Sequence, residues 1–348
     1  YFSIFLFHKL FISLVEAIPE PDLRRDHIIE NMITMVEINE MHINVLKELF
    51  GEKCNIINMD FLELNNVELY DIIIGNPPYN SNGKKKVPTN TDLNKKADGS
   101  VIWPYFIRKS MALLKKDGYL CVIIPSIWMK PDKLKMYEYL TQYDIQKLKC
   151  LTNTETNKYF KGNAQTPTCY FLLNNSKNKG SLNLYDKTIN NYISFSLYPS
   201  IPIPVFGASI LNKLLKYTKI YGTLNVIKTN LPSKEVLMST NLSSTYYYSN
   251  IKTCILEKNK PKLALNYSDK PCPYHGKPKI ILAHKMYGFP YIDIGGIYGI
   301  SNRDNYVILE RNLLDMVRIT DFLSTKLALY LFECTRYRMK YLEKYIFE

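Results

Sequence analysis

The sequence predicts an α/β protein with a mostly parallel sheet covered by helices on both faces, followed by a basic mixed α/β domain. Short apolar segments rich in β-branched residues alternate with segments of helical spacing through residues 1–173. Several of these predicted strands end at an acid or a proline. Charge also divides the chain: residues 1–174 hold 21 basic and 20 acidic side chains, whereas residues 175–348 hold 24 and 12.

The chain is organised around the segment from Asp71 to Tyr79. Three consecutive isoleucines predict a buried strand that stops at Gly75, because the two prolines that follow exclude both helix and strand. The chain then leaves the strand as a stiff, extended Asn76-Pro77-Pro78-Tyr79. Ligands of open α/β folds bind at this carboxyl edge of the sheet.

Asn76-Pro77-Pro78-Tyr79 suits the binding of an exocyclic amine. The Asn76 side-chain oxygen and the carbonyl of Pro77 offer two acceptors to the two N–H groups of such an amine. The ring of Tyr79 offers a face to a planar base. A proline-rich turn after a buried strand would give the same four residues, so their neighbours decide.

The tetrapeptide resembles the catalytic motif of S-adenosylmethionine-dependent amino-methyltransferases, above all the adenine-N6 DNA methyltransferases of restriction–modification systems. The resemblance implies a Rossmann-like methyltransferase sheet with S-adenosyl-L-methionine as cofactor. It also implies a direct in-line transfer of the methyl group to an adenine flipped out of double-stranded DNA. Asn76, Pro77, Pro78 and Tyr79 would then be the catalytic residues, with Tyr79 stacking on the base.

Two acids upstream of this motif are candidate cofactor ligands. Residues 32–39 and 55–59 predict strands, and Glu37 and Asp60 stand at or just after their carboxyl ends. An acid in the position of Glu37 can hold ribose hydroxyls. The resemblance assigns the cofactor's adenine amine to Asp60 and a contact with the adenine ring to Phe61. Helix capping is the alternative role for both acids.

The sequence has no glycine before Gly51. The methyltransferase family needs a glycine turn after its first strand, where the backbone approaches the cofactor. Residues 1–18 resemble the helix that follows this turn. We therefore expect that the chain is truncated at its N-terminus and begins downstream of the first strand and glycine loop.

The segment after the motif continues the alternation of helices and strands. Helices are predicted at residues 102–114 and 133–141, and strands at 119–124, 145–151 and 167–173, with a Lys116-Asp117-Gly118 turn after the first helix. In the family, an aromatic residue before the last of these strands stacks on the flipped base, and Phe160 matches that position. A hairpin contact is the alternative role for Phe160.

The basic half resembles a target-recognition domain, less specifically than the first half resembles a catalytic one. We predict a catalytic domain at residues 1–175, a linker region at 176–200 and a DNA target-recognition domain at 201–348. Predicted elements of the last are helices at 211–217 and 319–338, strands at 279–283 and 306–309, and a glycine-rich hairpin around Gly295, Gly296 and Gly299. Tyr246, Tyr247 and Tyr248 can contact bases or phosphates, although exposed tyrosines need no partner.

The composition indicates the cellular compartment of the protein and its binding partners. The seven cysteines form no Cys-x-x-Cys pair, which fits a reducing, cytoplasmic compartment. No metal is predicted, because Cys272-x-x-His275 matches no familiar zinc site, and no membrane span, because residues 2–18 are interrupted by charges. The partners implied are double-stranded DNA and a restriction endonuclease, either separate or fused upstream.

Four alternatives stay open. Glutamine methyltransferases of proteins share the tetrapeptide but lack a long basic domain, and cytosine-N4 enzymes more often begin it with serine. An inactive remnant that still binds DNA would keep the basic half. A circularly permuted enzyme, with its cofactor loop at Gly295-Gly296-Ile297-Tyr298-Gly299, is disfavoured because Glu37 and Asp60 precede Asn76 in the ordinary order.

Overall fold

A computed structural model describes residues 2–65, 68–81, 100–162, 164, 166–199, 201–258, 260–284, 290–309, 312–338 and 342–347. The chain forms two compact units. The first unit is Tyr1–Ile124 with Tyr170–Lys177, and the second is Pro125–Cys169 with Asn178–Glu348.

The first unit alternates helices and strands. Its helices are α1 (Phe2–Ser13), α2 (Pro21–His27), α3 (Glu40–Phe50) and α4 (Trp103–Leu113), with a π-helical turn at Ile28–Met32 and a 3-10 turn at Phe61–Glu63. Its strands are β1 (Thr34–Glu37), β2 (Asn55–Asn58), β3 (Tyr70–Gly75) and β4 (Leu114–Pro125), which ends at the unit boundary. The predicted strands at 32–39, 55–59 and 71–75 are therefore all present.

The strand pairs of the first unit are parallel. β1 pairs with β2, and β3 pairs with β4. The predicted Lys116-Asp117-Gly118 turn is wrong, because these residues lie within β4, where Asp117 adopts a φ of 63° and the register with β3 shifts. Gly118 is required there, since a Cβ would lie 2.9 Å from the Asp71 carbonyl oxygen.

One apolar core of the first unit lies against α1. Ile28, Ile29 and Ile33 are buried with Phe50, against the apolar side of α1. The opposite side of α1 is exposed, including Phe5 at 65%. The isoleucines of β3 are not fully buried either, because Ile72 is 53% exposed.

The second unit has more strands. Its helices are α5 (Met136–Thr141), α6 (Asn153–Tyr159), α7 (Ala208–Tyr221), α8 (Leu313–Leu323) and α9 (Lys326–Cys334), with 3-10 turns at Ser126–Met129 and Lys344–Ile346. The strands numbered from here are β5 (Tyr143–Leu151), β6 (Thr168–Lys177), β7 (Ser181–Asp186), β8 (Asn191–Ser196), β9 (Ile227–Lys228), β10 (Met238–Ser239), β11 (Tyr248–Glu257), β12 (Lys260–Ser268), β13 (Lys279–Ala283), β14 (Tyr291–Asp293), β15 (Gly299–Ile300) and β16 (Asn305–Ile308). Most of β6 belongs to the first unit, where it is the neighbour of β4.

Three groups of strands organise the second unit. β5 pairs in parallel with β7, which forms an antiparallel hairpin with β8. Two four-stranded sheets follow, in the orders β10-β12-β11-β15 and β14-β13-β16-β9. The second of these sheets packs its apolar face on α8 and α9, and its other face packs on β11 and β15.

The prediction of an α/β protein with parallel strand pairs is confirmed, but three predicted elements of the second half are wrong. The linker predicted at 176–200 contains β7 and β8, whose Leu182, Leu184 and Phe195 are buried. The helix predicted at 319–338 is two helices, because the Thr325 hydroxyl accepts the backbone N–H of Ala328 and starts a new one.

The glycine-rich hairpin is the third wrong prediction. β14 pairs with β13 in one sheet, whereas β15 pairs in parallel with β11 in the other. The glycines therefore connect two sheets.

No helix among the described residues is long and apolar enough to cross a membrane.

Candidate active site

The Asn76-Pro77-Pro78-Tyr79 segment leaves the carboxyl end of β3, as predicted. Its far end is held by the backbone that enters α4. The Ile102 N–H donates to the Tyr79 carbonyl at 3.2 Å, and the Ser81 N–H donates to the Ser100 carbonyl at 2.8 Å. The tetrapeptide is thus fixed by β3 on one side and by the start of α4 on the other.

Within this segment, Asn76 is exposed and Tyr79 is half-buried. The Asn76 side chain makes no hydrogen bond to the described residues, so its oxygen and nitrogen are available to a ligand. Pro77 and Pro78 restrict the backbone between these two side chains. The segment can therefore present acceptors at fixed positions with little loss of conformational entropy on binding.

Glu37 and Asp60 lie at the same edge of the β1–β2 pair. The two strands are parallel and Glu37 is opposite Asn58, so the acids close adjacent strands at their carboxyl ends. Glu37 Oε1 accepts the Asn39 N–H at 2.9 Å, and Glu37 Oε2 is 3.4 Å from His42 Nδ1. Asp60 Oδ1 accepts the Leu62 N–H at 2.9 Å and caps the 3-10 turn.

The capping alternative is therefore realised for Asp60, whose carboxylate begins the 3-10 turn at Phe61–Glu63. These local contacts do not use all the hydrogen-bond acceptor positions of Glu37 or Asp60, because a carboxylate has about four of them. The local contacts instead hold each carboxylate in one orientation. Both can accept further hydrogen bonds from a polar ligand.

Helix α4 lies between the tetrapeptide and Phe61, the residue that follows Asp60. The Ile102 N–H before its first turn binds the Tyr79 carbonyl, and Phe106, one turn later, stacks on Phe61. The ring centroids of Phe61 and Phe106 are 5.8 Å apart and the planes differ by 8°. A planar group between them would need about 7 Å, twice the carbon–carbon contact distance. A ligand ring would therefore contact the outer face of one of these rings.

Phe160 belongs to the second unit, whereas the other seven predicted site residues belong to the first. Phe160 is the residue at which α6 ends, and its N–H donates to the Thr156 carbonyl at 2.9 Å. Its role as a base-stacking residue stays a prediction.

Two contacts of the site are not predicted from the sequence. His42, one turn into α3, approaches Glu37, and the Ile102 N–H binds Tyr79. The first has a local signal, because Glu37 and His42 are five residues apart across a helix start capped by Asn39. The second joins residues 23 positions apart in the sequence and has no local signal.

Comparison with known proteins gives a family match in the first half of the chain. Residues 9–160 match the family described as Eco57I restriction-modification methylase. The type II restriction enzyme and methyltransferase RM.Eco57I of Escherichia coli is 29% identical over 140 residues, covering 38% of this chain and 14% of that protein. The type II methyltransferase M.AccI of Acinetobacter calcoaceticus is 28% identical over 218 residues, covering 56% and 39%.

Among solved structures, the M protein of the type I restriction enzyme EcoKI superposes with a TM-score of 0.36 at 14% identity, covering 50% of this chain and 39% of that one. The chain thus spans less than half the length of these proteins. The family match contains Glu37, Asp60 and the whole tetrapeptide. Residues 9–160, which make up less than half of the chain, are therefore similar to the Eco57I restriction-modification methylases.

Proposed function

We propose that this protein transfers a methyl group from S-adenosyl-L-methionine to the N6 amine of adenine in double-stranded DNA. The observation that carries the proposal is the exposed Asn76 in a proline-stiffened segment held between β3 and α4. The family match over residues 9–160 supports a methyltransferase, and the names of the relatives place them in restriction–modification systems.

The residues at the ends of β1 and β2 fit the adenosyl part of S-adenosyl-L-methionine. Glu37 keeps acceptor positions for the two ribose hydroxyls, and Asp60 keeps one for an exocyclic N–H, because each oxygen has only one contact among the described residues. Phe61, supported from one side by Phe106, offers an aromatic surface next to Asp60. The cofactor would supply an electrophilic methyl group.

Asn76 and Pro77 would hold the amine that accepts the methyl group. The Asn76 Oδ1 and the Pro77 carbonyl oxygen accept its two N–H groups, which fixes the orientation of the nitrogen lone pair. As positive charge develops on nitrogen, both acceptors bind it more strongly, so they favour the transition state over the bound substrate. No general base is needed before transfer, since the proton leaves afterwards.

Tyr79 and Phe160 are the proposed stacking residues for a base extruded from the duplex. Extrusion is required because the N6 amine of a paired adenine is engaged in the helix. The basic residues 175–348 would bind the phosphates, with 201–348 as the target-recognition domain and 1–175 as the catalytic part. A restriction endonuclease, separate or fused, is the proposed functional partner.

The test is product analysis with an Asn76→Ala variant of the protein. Single-turnover transfer of labelled methyl to duplex DNA should give N6-methyladenine, and Asn76→Ala should lower the rate by about a hundredfold or more. Binding of S-adenosyl-L-methionine should change little, because Glu37 and Asp60 hold the adenosyl part. Asn65→Ala, which removes another exposed asparagine of the first unit, is the matched control and should react normally.

The outcomes separate the alternatives. N4-methylcytosine or methylated glutamine as the product would replace adenine as the substrate. DNA binding without methyl transfer would favour the inactive remnant. A normal rate for Asn76→Ala would remove the basis of the proposal.

A further inference from the structure

Two tyrosines and a histidine form an aromatic cluster where β11 begins, and one of the tyrosines is exposed. The ring centroids of Tyr247 and Tyr248 are 4.3 Å apart, and their hydroxyl oxygens are 3.2 Å apart. Tyr248 also meets the edge of His275, with centroids 5.2 Å apart. Tyr247 is nevertheless 55% exposed. We name Tyr247, Tyr248 and His275 the tyrosine platform.

The loop that carries His275 is fixed by a buried ion pair. The side chains of Lys279 and Asp293 are 0% and 2% exposed, and Lys279 Nζ lies 2.6 Å from Asp293 Oδ2. Lys279 Nζ also donates to the Tyr274 and Lys277 carbonyls, both at 3.1 Å, so all three of its N–H groups are used. The loop 274–277 is thereby tied to β14.

The same carboxylate orders the glycine segment. Asp293 accepts the N–H groups of Ile297 at 3.0 Å and Tyr298 at 3.1 Å. A Cβ on Gly296, whose φ is 64°, would lie 2.6 Å from the Lys277 nitrogen. The close approach of these two loops therefore needs glycine, and it leaves His275 little freedom to leave Tyr248.

The platform is also fixed from beneath. The Asn250 side chain donates to the Tyr248 carbonyl at 2.8 Å and to the Ser268 hydroxyl at 2.9 Å. A Cβ on Gly299 would lie 2.3 Å from Asn250 Oδ1. Exposed aromatic rings on rigid backbone lose little entropy when they bind a partner, in contrast to aromatic residues of a mobile loop.

The charge around the platform selects its occupant. Lys270 and Lys277 are exposed and lie in the loops next to Ser268 and His275. Residues 175–300 hold 16 basic and 5 acidic side chains. An apolar protein surface would gain nothing from these charges, whereas nucleic acid offers both phosphates and base edges.

We infer that the tyrosine platform is a DNA-contacting surface at which Tyr247 and Tyr248 meet bases and Lys270 and Lys277 meet the flanking phosphates. The inference rests on the proposed function, because it takes double-stranded DNA as the substrate. The buried Lys279–Asp293 pair acts indirectly, as the element that positions His275 and Lys277. The tyrosines would carry preference for sequence, and the lysines would carry affinity that does not depend on sequence.

Photocrosslinking tests the contact directly. The full chain is irradiated with random-sequence 30-base-pair duplexes in which 5-iodouracil replaces thymine, and crosslinked tryptic peptides are identified by mass spectrometry. Crosslinks are expected in the peptide that follows Lys234 and ends at Lys252, which contains both platform tyrosines. The peptide ending at Lys228, which contains the 80% exposed Tyr221, is the internal control.

Affinity measurements test the division of roles on the same duplexes. Tyr247→Ala should weaken binding by about tenfold, the usual loss for one contact to a base edge of duplex DNA. Lys270→Gln and Lys277→Gln should each reduce the slope of log affinity against log salt by about one, equally for all sequences. Tyr221→Ala, at an exposed position of α7, and Lys9→Gln, at an exposed position of α1, are the matched controls and should bind as the unmodified chain does.

Two results would overturn the inference. One refutes only the tyrosine platform, and the other also refutes DNA as the substrate. If the unmodified chain binds DNA but Tyr247→Ala binds equally well and no crosslink forms in that peptide, the platform is not the contact and the proposed function stands. If the unmodified chain binds no duplex DNA even at low salt, the DNA substrate of the proposed function fails together with the platform.

Discussion

The two units differ in the burial of the ion pairs that each contains. In the first unit, Lys115 and Asp71 form an ion pair whose side chains are 50% and 79% exposed. In the second unit, Lys279 and Asp293 are paired in the interior, with exposures of 0% and 2%. An exposed pair contributes little to stability, whereas each partner of a buried pair is needed to neutralise the other.

This difference indicates which kind of contact supports the proposed function of each unit. In the first unit, the candidate site uses backbone geometry: Asn76 follows a strand end, and two prolines and one N–H from the start of α4 hold the segment. In the second unit, the surface proposed to meet DNA depends on side chains buried beneath it. Mutations that unpair charge should therefore unfold the second unit and leave the first unit almost unchanged.

The largest expected effect comes from breaking the buried pair. Lys279→Met leaves the Asp293 carboxylate buried without its partner and should lower the free energy of unfolding of the second unit by about 3–5 kcal/mol. Lys115→Met, the matched change in the exposed pair of the first unit, should cost under about 1 kcal/mol. Denaturant unfolding measures both.

The two tryptophans let each unit be followed separately. Trp103 lies in the first unit and Trp128 in the second, and both are buried, at 2% and 0% exposure. In a Trp103→Phe background fluorescence reports the second unit alone, and in a Trp128→Phe background it reports the first unit alone. An effect of Lys279→Met in the former equal to that of Lys115→Met in the latter would show that burial of charge does not distinguish the units.

The difference between the units also explains which structural elements could be predicted from the sequence. In the first unit, strand ends are marked locally: Gly75-Asn76-Pro77 ends β3, and Glu37 and Asp60 follow short apolar strands. These strand ends were therefore predictable from consecutive residues, including those of all three strands that lead to the candidate site.

In the second unit, the decisive contacts join residues far apart in sequence. Gly299 lies against Asn250 and Cys272, and β15 joins a sheet other than that of β14. Nothing local distinguishes this arrangement from the predicted hairpin. The break between α8 and α9 did have a local signal, since Ser324-Thr325 can end one helix and cap the next, but amphipathic spacing outweighed it.

A pH titration should also affect the second unit selectively. Burial lowers the pKa of His284 from 6.5 to about 4, helped by the charges of Lys228, Arg338 and Lys130 and opposed by Asp304. Between pH 6.5 and about 4, the unfolded chain binds a proton that the folded chain does not. Stability of the second unit should therefore be highest above pH 6.5 and fall, by up to about 3 kcal/mol, as the pH drops to about 4.

The control for this titration is a variant that keeps an aromatic ring at position 284 but has no group there that can be protonated. His284 packs edge-on against Tyr306, with centroids 5.3 Å apart, and His284→Phe keeps an aromatic group there. Its unfolding free energy, followed through Trp128, should vary less over the same pH range. An unchanged pH dependence would assign the effect to other groups.

The smallest expected effect concerns Tyr79 in the first unit, where no buried charge is involved. The Tyr79 carbonyl accepts the Ile102 N–H, so substitution of its side chain leaves that backbone contact in place. Tyr79→Ala should weaken capture of the extruded base by about 1–3 kcal/mol, the usual contribution of stacking. Tyr79→Phe should be tolerated, because the ring face and not the hydroxyl makes the proposed contact. Single-turnover transfer at increasing concentrations of duplex DNA separates base capture from the chemical step. If Tyr79→Phe lost as much activity as Tyr79→Ala, the hydroxyl would be the functional group, and the candidate site of the first unit would depend on a side-chain hydrogen bond in addition to its backbone geometry.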